Sequence, residues 1–263
     1  MKKHYRALFL SDIHLGYPLC QADALLSLLD EISFDSLYLV GDIIDLWYLK
    51  QNQFQLLNPS HTRLFNRLLG YALEGKRVYY LSGNHDDALE NPELKQLLEG
   101  LGIILDRHAS HRTLSGKLYS VHHGDDFDII DFGQSRVLTR AAGSMLLRAG
   151  ASIDQIQVRL RGILGLSYWS LTGFAAEKIR FKRLNELGMS SLDFFENAIS
   201  YDAKKRGFDG IICGHVHIPT SKLLHGVHYL NIGDWVKSCT ALVETTEGQL
   251  EILKYNPKIR LRK

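Results

Sequence analysis

The chain has 263 residues, 45% of them hydrophobic, enough for one large α/β domain with a buried core, with or without an inserted lid. A net charge of +2 supplies no bulk field for nucleic acid or another polyanion. Three scattered cysteines, Cys20, Cys213 and Cys239, with no C-x-x-C pair, argue against a disulfide framework and fit a reducing compartment.

After Met-Lys-Lys, the apolar run 7–10 reads as a buried strand that stops at Ser11-Asp12-Ile13-His14. It is too short for a signal-peptide core or a bilayer span, and no later run is longer. The expectation is a cytoplasmic chain that can at most rest peripherally on the inner face of a membrane. Residues 22–32 carry Ala22, Leu25, Leu26, Leu28, Leu29 and Ile32 at helical spacing. The next strand, 37–40, ends at Gly41-Asp42. A helix is expected over 61–72, and a third strand, 78–81, ends at Ser82-Gly83-Asn84-His85-Asp86. Three strands, each stopped by a polar cluster, predict a parallel α/β sheet with a site at its carboxyl edge.

The second half changes character. Segments 111–114 and 118–122 flank Ser115-Gly116, a hairpin signal. Short strands are expected at 211–213, 222–224, 227–232, 240–244 and 250–255, with turns at His225-Gly226 and Glu247-Gly248. They predict a second, more antiparallel sheet packed on the first. Between the halves, residues 134–188 are helix-prone and apolar, with nine Lys or Arg against three Asp or Glu. The stretch lacks the Pro/Ser/Gly bias of a linker and reads as a helical cap inserted into a single domain spanning 1–263. Its apolar content, including Trp169, fits either the core of a small subdomain or an acyl-chain groove. Arg159, Arg161, Trp169 and Arg180 are candidate substrate contacts.

Several clusters carry chemistry. Asp12-x-His14 offers a hard anionic oxygen and a neutral nitrogen, suited to Mn, Fe or Zn, although the same triplet also reads as an Asx-capped turn. Asp42, after a glycine, can bridge two ions. Asp45 and Trp47 read as a helix-start carboxylate and a packing residue. The Asn84 amide oxygen can ligate without adding charge, which leaves His85 to face substrate. His123 is preferred over His122, whose side chain belongs on the opposite strand face. In an extended segment His215 and His217 share a side, and both can ligate. Cys213 reads as a small buried apolar residue. His4, His61, His108, His111, His225 and His228 are expected at the surface or in hairpins.

In this order Asp, His, Asp, Asn, His, His and His resemble the calcineurin-like metallophosphoesterase family, over Asp12 to His217. The resemblance implies a four-layer α/β sandwich of two mixed sheets flanked by helices. It implies that Asp12, His14 and His217 hold one metal, that Asn84, His123 and His215 hold the other, and that Asp42 bridges them. His85 matches the group that protonates the leaving group or steadies the phosphate. Two divalent ions, with Mn favoured and Fe or Zn as alternatives, would lower the pKa of a bridging water and clamp the phosphoryl oxygens. Within that superfamily the chain is similar to the UDP-2,3-diacylglucosamine pyrophosphatases of lipid A biosynthesis. Ser11-Asp12-Ile13-His14-Leu15, Val40-Gly41-Asp42, His123-Gly124-Asp125 and the basic apolar cap carry that similarity. One departure is His85, where the pyrophosphatase pattern has Arg and general phosphoesterases have His. Gly233-Asp234-Trp235 points to a sister group.

The implied partner is a phosphate-containing substrate, a glycolipid in the leading reading, with peripheral membrane contact through the cap and no nucleic acid. The alternatives are a soluble phosphodiesterase or phosphatase acting on nucleotides and a non-catalytic metal-binding scaffold.

Overall fold

Alternating apolar and polar segments in the first hundred residues build a parallel sheet. β1 (Lys3–Leu10) lies beside β2 (Ile32–Val40), then β3 (Arg77–Leu81), then β4 (Ile103–Asp106), all parallel. The computed structural model describes residues 2–51, 58–127 and 191–256. The chain falls into two units, 1–125 with 200–263 and 126–199, and both sheets belong to the first. The expected cap at 134–188, with Arg159, Arg161, Trp169 and Arg180, lies outside the described residues.

The helices on the first sheet are α1 (Ala22–Glu31), α3 (Pro59–Leu73) and α4 (Pro92–Gly100), with the short α2 (Leu46–Gln51) between α1 and α3. α1 turns Leu25, Leu28 and Leu29 inward, and α3 adds Leu64 and Leu68. They meet Leu8, Leu10, Leu37, Leu39, Val78 and Tyr80 on one sheet face. Burial of each leucine contributes roughly 1.5–3 kcal/mol. α3 and α4 both begin with proline at the first turn behind an asparagine cap. Asn58 accepts from the Ser60 amide at 3.0 Å, and Asn91 accepts from the Glu93 amide at 2.9 Å.

The second sheet has the order β5 (His108–Arg112), β6 (Leu118–His122), β7 (Gly210–Cys213), β9 (Val227–Asn231), β8 (Thr220–Leu224). β6, β7 and β9 run parallel, while β5–β6 and β8–β9 are antiparallel hairpins. Both residues of the His225-Gly226 turn have positive φ, 53° and 81°, as a two-residue hairpin turn needs. The opposite faces of the two sheets share one core, in which Ala7, Phe9, Tyr38, Val40 and Leu81 meet Tyr119, Val121, Ile212 and Leu230. α5 (Ser191–Lys205) precedes β7 and buries Phe195, Ile199 and Ala203, spaced four apart.

The α/β class and the two mixed sheets match expectation, with one correction. β10 (Thr240–Glu244) and β11 (Leu250–Lys254) do not join the second sheet. They complete the first, in the order β11-β10-β1-β2-β3-β4, because β10 pairs antiparallel with the free edge of β1. Burial on both faces of β10, where all five residues are buried, follows from that inner position. Of the histidines expected at the surface or in hairpins, His61 is instead buried in α3, and His111 lies in the β5–β6 hairpin as expected but is buried as well. The His61 Nδ1 accepts the Gly16 amide at 3.2 Å, and His111 lies between the sheets. No helix among the described residues is long and apolar enough to cross a membrane.

Candidate metal centre

The loops after β1 and β2 continue the strand pairing past the strand ends. The Asp12 amide donates to Gly41 O at 3.1 Å, His14 to Asp42 O at 2.9 Å and Leu15 to Ile43 O at 2.8 Å. Asp12 and Asp42 therefore turn together, in register. Asp12, His14, Asp42, His215 and His217 all have φ between 51° and 71°. They are five of the seven non-glycine residues with left-handed backbone among those described. Such conformations cost of order 1–3 kcal/mol each and persist where surrounding structure imposes them, commonly at functional sites. Asp and His tolerate the region better than branched residues do. His215 and His217 are thus not in an extended segment as expected. Two left-handed residues, not strand alternation, bring them to the site.

Each candidate ligand is oriented by a second contact. The Asp12 Oδ2 accepts the Ser11 hydroxyl at 2.6 Å and the His215 amide at 3.0 Å, which leaves Oδ1 facing His217 Nε2 at 3.0 Å. The Asp42 Oδ1 accepts the His85 amide at 2.9 Å, so Oδ2 faces inward, 3.3 Å from His123 Nε2 and 3.9 Å from both His14 Nε2 and His85 Nε2. His123 points Nδ1 at Val40 O, 3.1 Å away. A proton there fixes the tautomer with the Nε2 lone pair toward the site. His14 Nδ1 lies 3.2 Å from Asp45 Oδ2, and His14 Nε2 lies 3.4 Å from His217 Nε2.

Among the described residues, three sets have potential ligand atoms within 4.8 Å of one another: Asp12, His14 and His217; His14, Asp42 and His85; Asp12, Asp42 and His123. Asp12, His14 and Asp42 each belong to two sets, so the three clusters merge into one centre with two carboxylates at its middle. The His215 ring lies 5.2 Å from the His123 ring, and Asn84 presents a buried Oδ1. His122 lies apart from these sets, with its ring 4.9 Å from that of His108, so of the two neighbours His123 is the one at the cluster.

The electrostatics favour cations. Burial pushes the Asp12 carboxyl up, but His123 and His217 outweigh it and hold the group below the usual carboxylate range. Burial likewise opposes ionisation of Asp42, and His123, His85 and His14 overcome it. Conversely, burial lowers His123, while Asp42 and Asp12 raise it well above an ordinary histidine. The buried carboxylates thus favour positive charge among them, a place that a divalent ion can fill. The donor set agrees. Asp12 Oδ1, Asn84 Oδ1 and His123 Nε2 are buried and lack an aligned hydrogen-bond partner. Leaving such an atom unsatisfied costs about 1–3 kcal/mol. Coordination would satisfy all three, and carboxylate, amide and imidazole suit borderline-to-hard divalent metals.

His85 lies at the rim, 24% exposed at its side chain. Its ring stacks on Trp47 with centroids 4.1 Å apart. Burial lowers its pKa, but the contact with Asp45 at 3.2 Å and the Asp42 charge outweigh that and raise it. Asp45 fills the expected helix-start role, accepting the Tyr48 amide at 2.8 Å. It also holds His14 with one oxygen and His85 with the other, a role that sequence reading missed. Asp86 was missed as well. Fully buried, it accepts from Gly83 N at 2.7 Å, Ile43 N at 2.8 Å and the Tyr80 hydroxyl at 2.7 Å, tying the loop after β3 to that after β2. Burial and the Asp42 charge push its carboxyl up to about 6. Cys213 is fully buried, as expected.

The calcineurin-like phosphoesterase profile matches residues 5–219. The chain belongs to that family. This phosphoesterase is a hydrolase acting on phosphate esters, and the donor set fits the family's use of divalent metal. Curated relatives include a UDP-2,3-diacylglucosamine hydrolase of Porphyromonas gingivalis, 27% identical over 250 residues, covering 87% of this chain and 90% of the relative. Another, from Shewanella sp., is 25% identical over 261 residues, covering 96% and 99%. Photorhabdus laumondii has one that is 32% identical over 136 residues, covering 51% and 53%. Among solved structures, the Escherichia coli phosphoesterase YfcE aligns with a TM-score of 0.45 at 15% identity, covering 95% of this chain and 99% of that one.

Proposed function

We propose that this phosphoesterase hydrolyses the pyrophosphate of an acylated nucleotide sugar, as a UDP-2,3-diacylglucosamine diphosphatase of lipid A synthesis. The observation that carries the reading is the match to UDP-2,3-diacylglucosamine hydrolases along nearly the whole chain, 87% in one case and 96% in another. Asp12, His14 and His217 hold one ion. Asn84, His123 and His215 hold the second, and Asp42 is shared. Mn is the ion we favour, with Fe or Zn as alternatives. Bound there, the ions supply an activated water and neutralise the phosphoryl oxygens.

The chain's own side chains do the rest. His85, braced by Asp45 and Trp47, donates a proton to the leaving oxygen or steadies the phosphate. Its raised pKa suits a donor. No Ser or Cys nucleophile is needed. Arg159, Arg161, Trp169 and Arg180 contact the substrate, the arginines by charge-assisted hydrogen bonds to its phosphates. The apolar residues of 134–188 take acyl chains at about 0.8 kcal/mol per buried CH₂. The same mix of charge and apolar surface lets the cytoplasmic protein rest on anionic lipid.

One observation favours a second reading. His85 follows Asn84 where the acyl-sugar pattern has Arg, and a soluble nucleotide phosphodiesterase or phosphatase would carry His. The deciding measurement is kcat/KM with Mn for an acylated nucleotide-sugar pyrophosphate and its deacylated twin. Strong preference for the acylated form is expected. Equal values sink the lipid reading and leave the soluble enzyme.

A further inference from the structure

We propose that Asn231 is a positioning residue that sets both the Asp12 and the His215–His217 ligand loops, an inference that rests on the ligand assignment above. Asn231 ends β9, pairs with Cys213 across the sheet and is fully buried. Besides longer Nδ2 contacts to Cys213 Sγ at 3.6 Å and the Tyr229 hydroxyl at 3.4 Å, its side chain makes two short, opposed hydrogen bonds. Nδ2 donates to Gly214 O at 2.6 Å, and Oδ1 accepts the Gly233 amide at 3.0 Å. A carbonyl can only accept and an amide can only donate, so the orientation of the carboxamide is forced by its partners.

These partners lead to two ligand loops, the one that carries His215 and His217 and the one that carries Asp12. Gly214 immediately precedes His215. Its amide donates to His123 O at 3.0 Å, and a side chain at its Cα would collide with Ser11 and Asp12. Gly214 is thus wedged between β6 and the Asp12 turn, and the next amide, that of His215, donates to Asp12 Oδ2. On the other side, Gly233 opens the Gly233-Asp234-Trp235 loop. Asp234 collects the amides of Val236 at 2.8 Å and Lys237 at 2.5 Å. The Trp235 amide then donates to Asp12 O at 3.0 Å, and Trp235 O accepts from Gln21 at 2.7 Å. One carboxamide therefore fixes the carbonyl before His215 and the loop that grips the Asp12 backbone.

A strand end needs no carboxamide for packing; an apolar residue would serve the core at this depth. What Asn231 adds is a fixed spacing between three left-handed residues, Asp12, His215 and His217. Such residues relax to commoner conformations when their braces are removed.

The test uses the full chain, stripped with chelator, and wild-type, Asn231→Ala and Asn231→Ser proteins. Ser keeps a small polar group should Ala fold poorly. Bound Mn is counted from the loss of the free-ion EPR signal, and melting is followed with and without Mn. Wild type is expected to bind two Mn per chain. The variants should bind at least one of them ten-fold or more weakly, and their Mn-induced rise in Tm should shrink accordingly. A purely structural role would lower Tm equally with and without Mn and leave Mn affinity unchanged, which overturns the proposal while the ligand assignment stands. Failure of the wild-type protein to bind two Mn overturns the ligand assignment and this proposal with it.

Discussion

Asp45 offers the sharpest quantitative test of how the centre is held. Its carboxylate is buried and ionised. Burial raises its pKa, but the contacts with His14 and His85 hold it below the usual range. Oδ2 meets His14 Nδ1 at 3.2 Å, while Oδ1 accepts the Tyr48 amide at 2.8 Å and lies 3.2 Å from His85 Nδ1 as an ion-pair contact. In Asp45→Asn a single oxygen remains to accept. Turned toward Tyr48 and His85, it keeps the helix cap and the His85 contact. The new NH₂ then faces the Nδ1 proton of His14, donor against donor. His14 escapes by moving that proton to Nε2, the atom aimed at Asp12, Asp42 and His217. A hydrogen bond to a charged group is worth about 1.5–3 kcal/mol. At 1.4 kcal/mol per tenfold, its loss weakens ion binding by about 10- to 100-fold, the range for residues that orient a metal ligand. Calorimetric Mn titration of Asp45→Asn should show that loss, with kcat at saturating Mn within about tenfold of wild type because His85 is still held. Asp45→Ala releases both rings and should lower kcat by a further factor of order 10², in the range for a positioned acid. Wild-type Mn affinity in Asp45→Asn would refute the idea that this carboxylate sets the His14 tautomer.

Two further outcomes follow from different parts of the structure. In Gly41→Ala, a Cβ at φ 74° would run into the His123 ring. We expect a loss of more than about 1 kcal/mol in stability together with less than full Mn occupancy by elemental analysis; full occupancy would mean that the loop gives way without moving His123. His111 bears on pH. In its neutral form Nε2–H donates to Glu244 at 2.9 Å and Nδ1 accepts the Tyr38 hydroxyl at 3.2 Å. Burial lowers its pKa against the opposing pull of Glu244. The folded value therefore lies below the unfolded one of about 6.5, so its contribution is complete above that pH and is lost as pH falls through the folded value. The Tm difference between wild type and His111→Gln should narrow on acidification from pH 7 to 5; parallel curves would show that His111 does not titrate there.

β1, β2 and β3 were legible because their carboxyl halves are buried and read as continuous apolar runs such as 37–40 and 78–81, whereas β4, with alternating buried and exposed residues, was not read as a strand. The placement of β10 was not. Its sequence, Thr-Ala-Leu-Val-Glu, is a buried strand in either sheet, and only pairing with β1 decides which. α4 went unread although Leu94, Leu97 and Leu98 stand at helical spacing behind the Asn91-Pro92 start; it is only nine residues long, and of these leucines Leu98 alone packs against the core. His111 and His61 were assigned by the average behaviour of histidine. Their burial depends on partners more than 40 positions away in sequence, Glu244 and Gly16.

The candidate site shows the same division more sharply. Asp12, His14, Asp42, Asn84, His123, His215 and His217 lie in polar clusters that follow apolar strands; Asp12-x-His14 alone also reads as a turn, and their order along the chain is what resembles the family. The residues that aim them look unremarkable in one dimension. Asp45 is a helix-start carboxylate, Asp86 the tail of a turn, and Asn231 the last residue of a strand. Each acts through a contact spanning 17 to 44 positions, Asn231 to Gly214 at one extreme and Asp86 to Asp42 at the other. Strain links the two groups. Five candidate ligands sit in left-handed backbone, at of order 1–3 kcal/mol each. A chain meets that cost only where other interactions exceed it. Buried carboxylates on amides, a carboxylate on imidazoles and a carboxamide between two loops are the interactions present, each with partners that only the folded chain brings within reach.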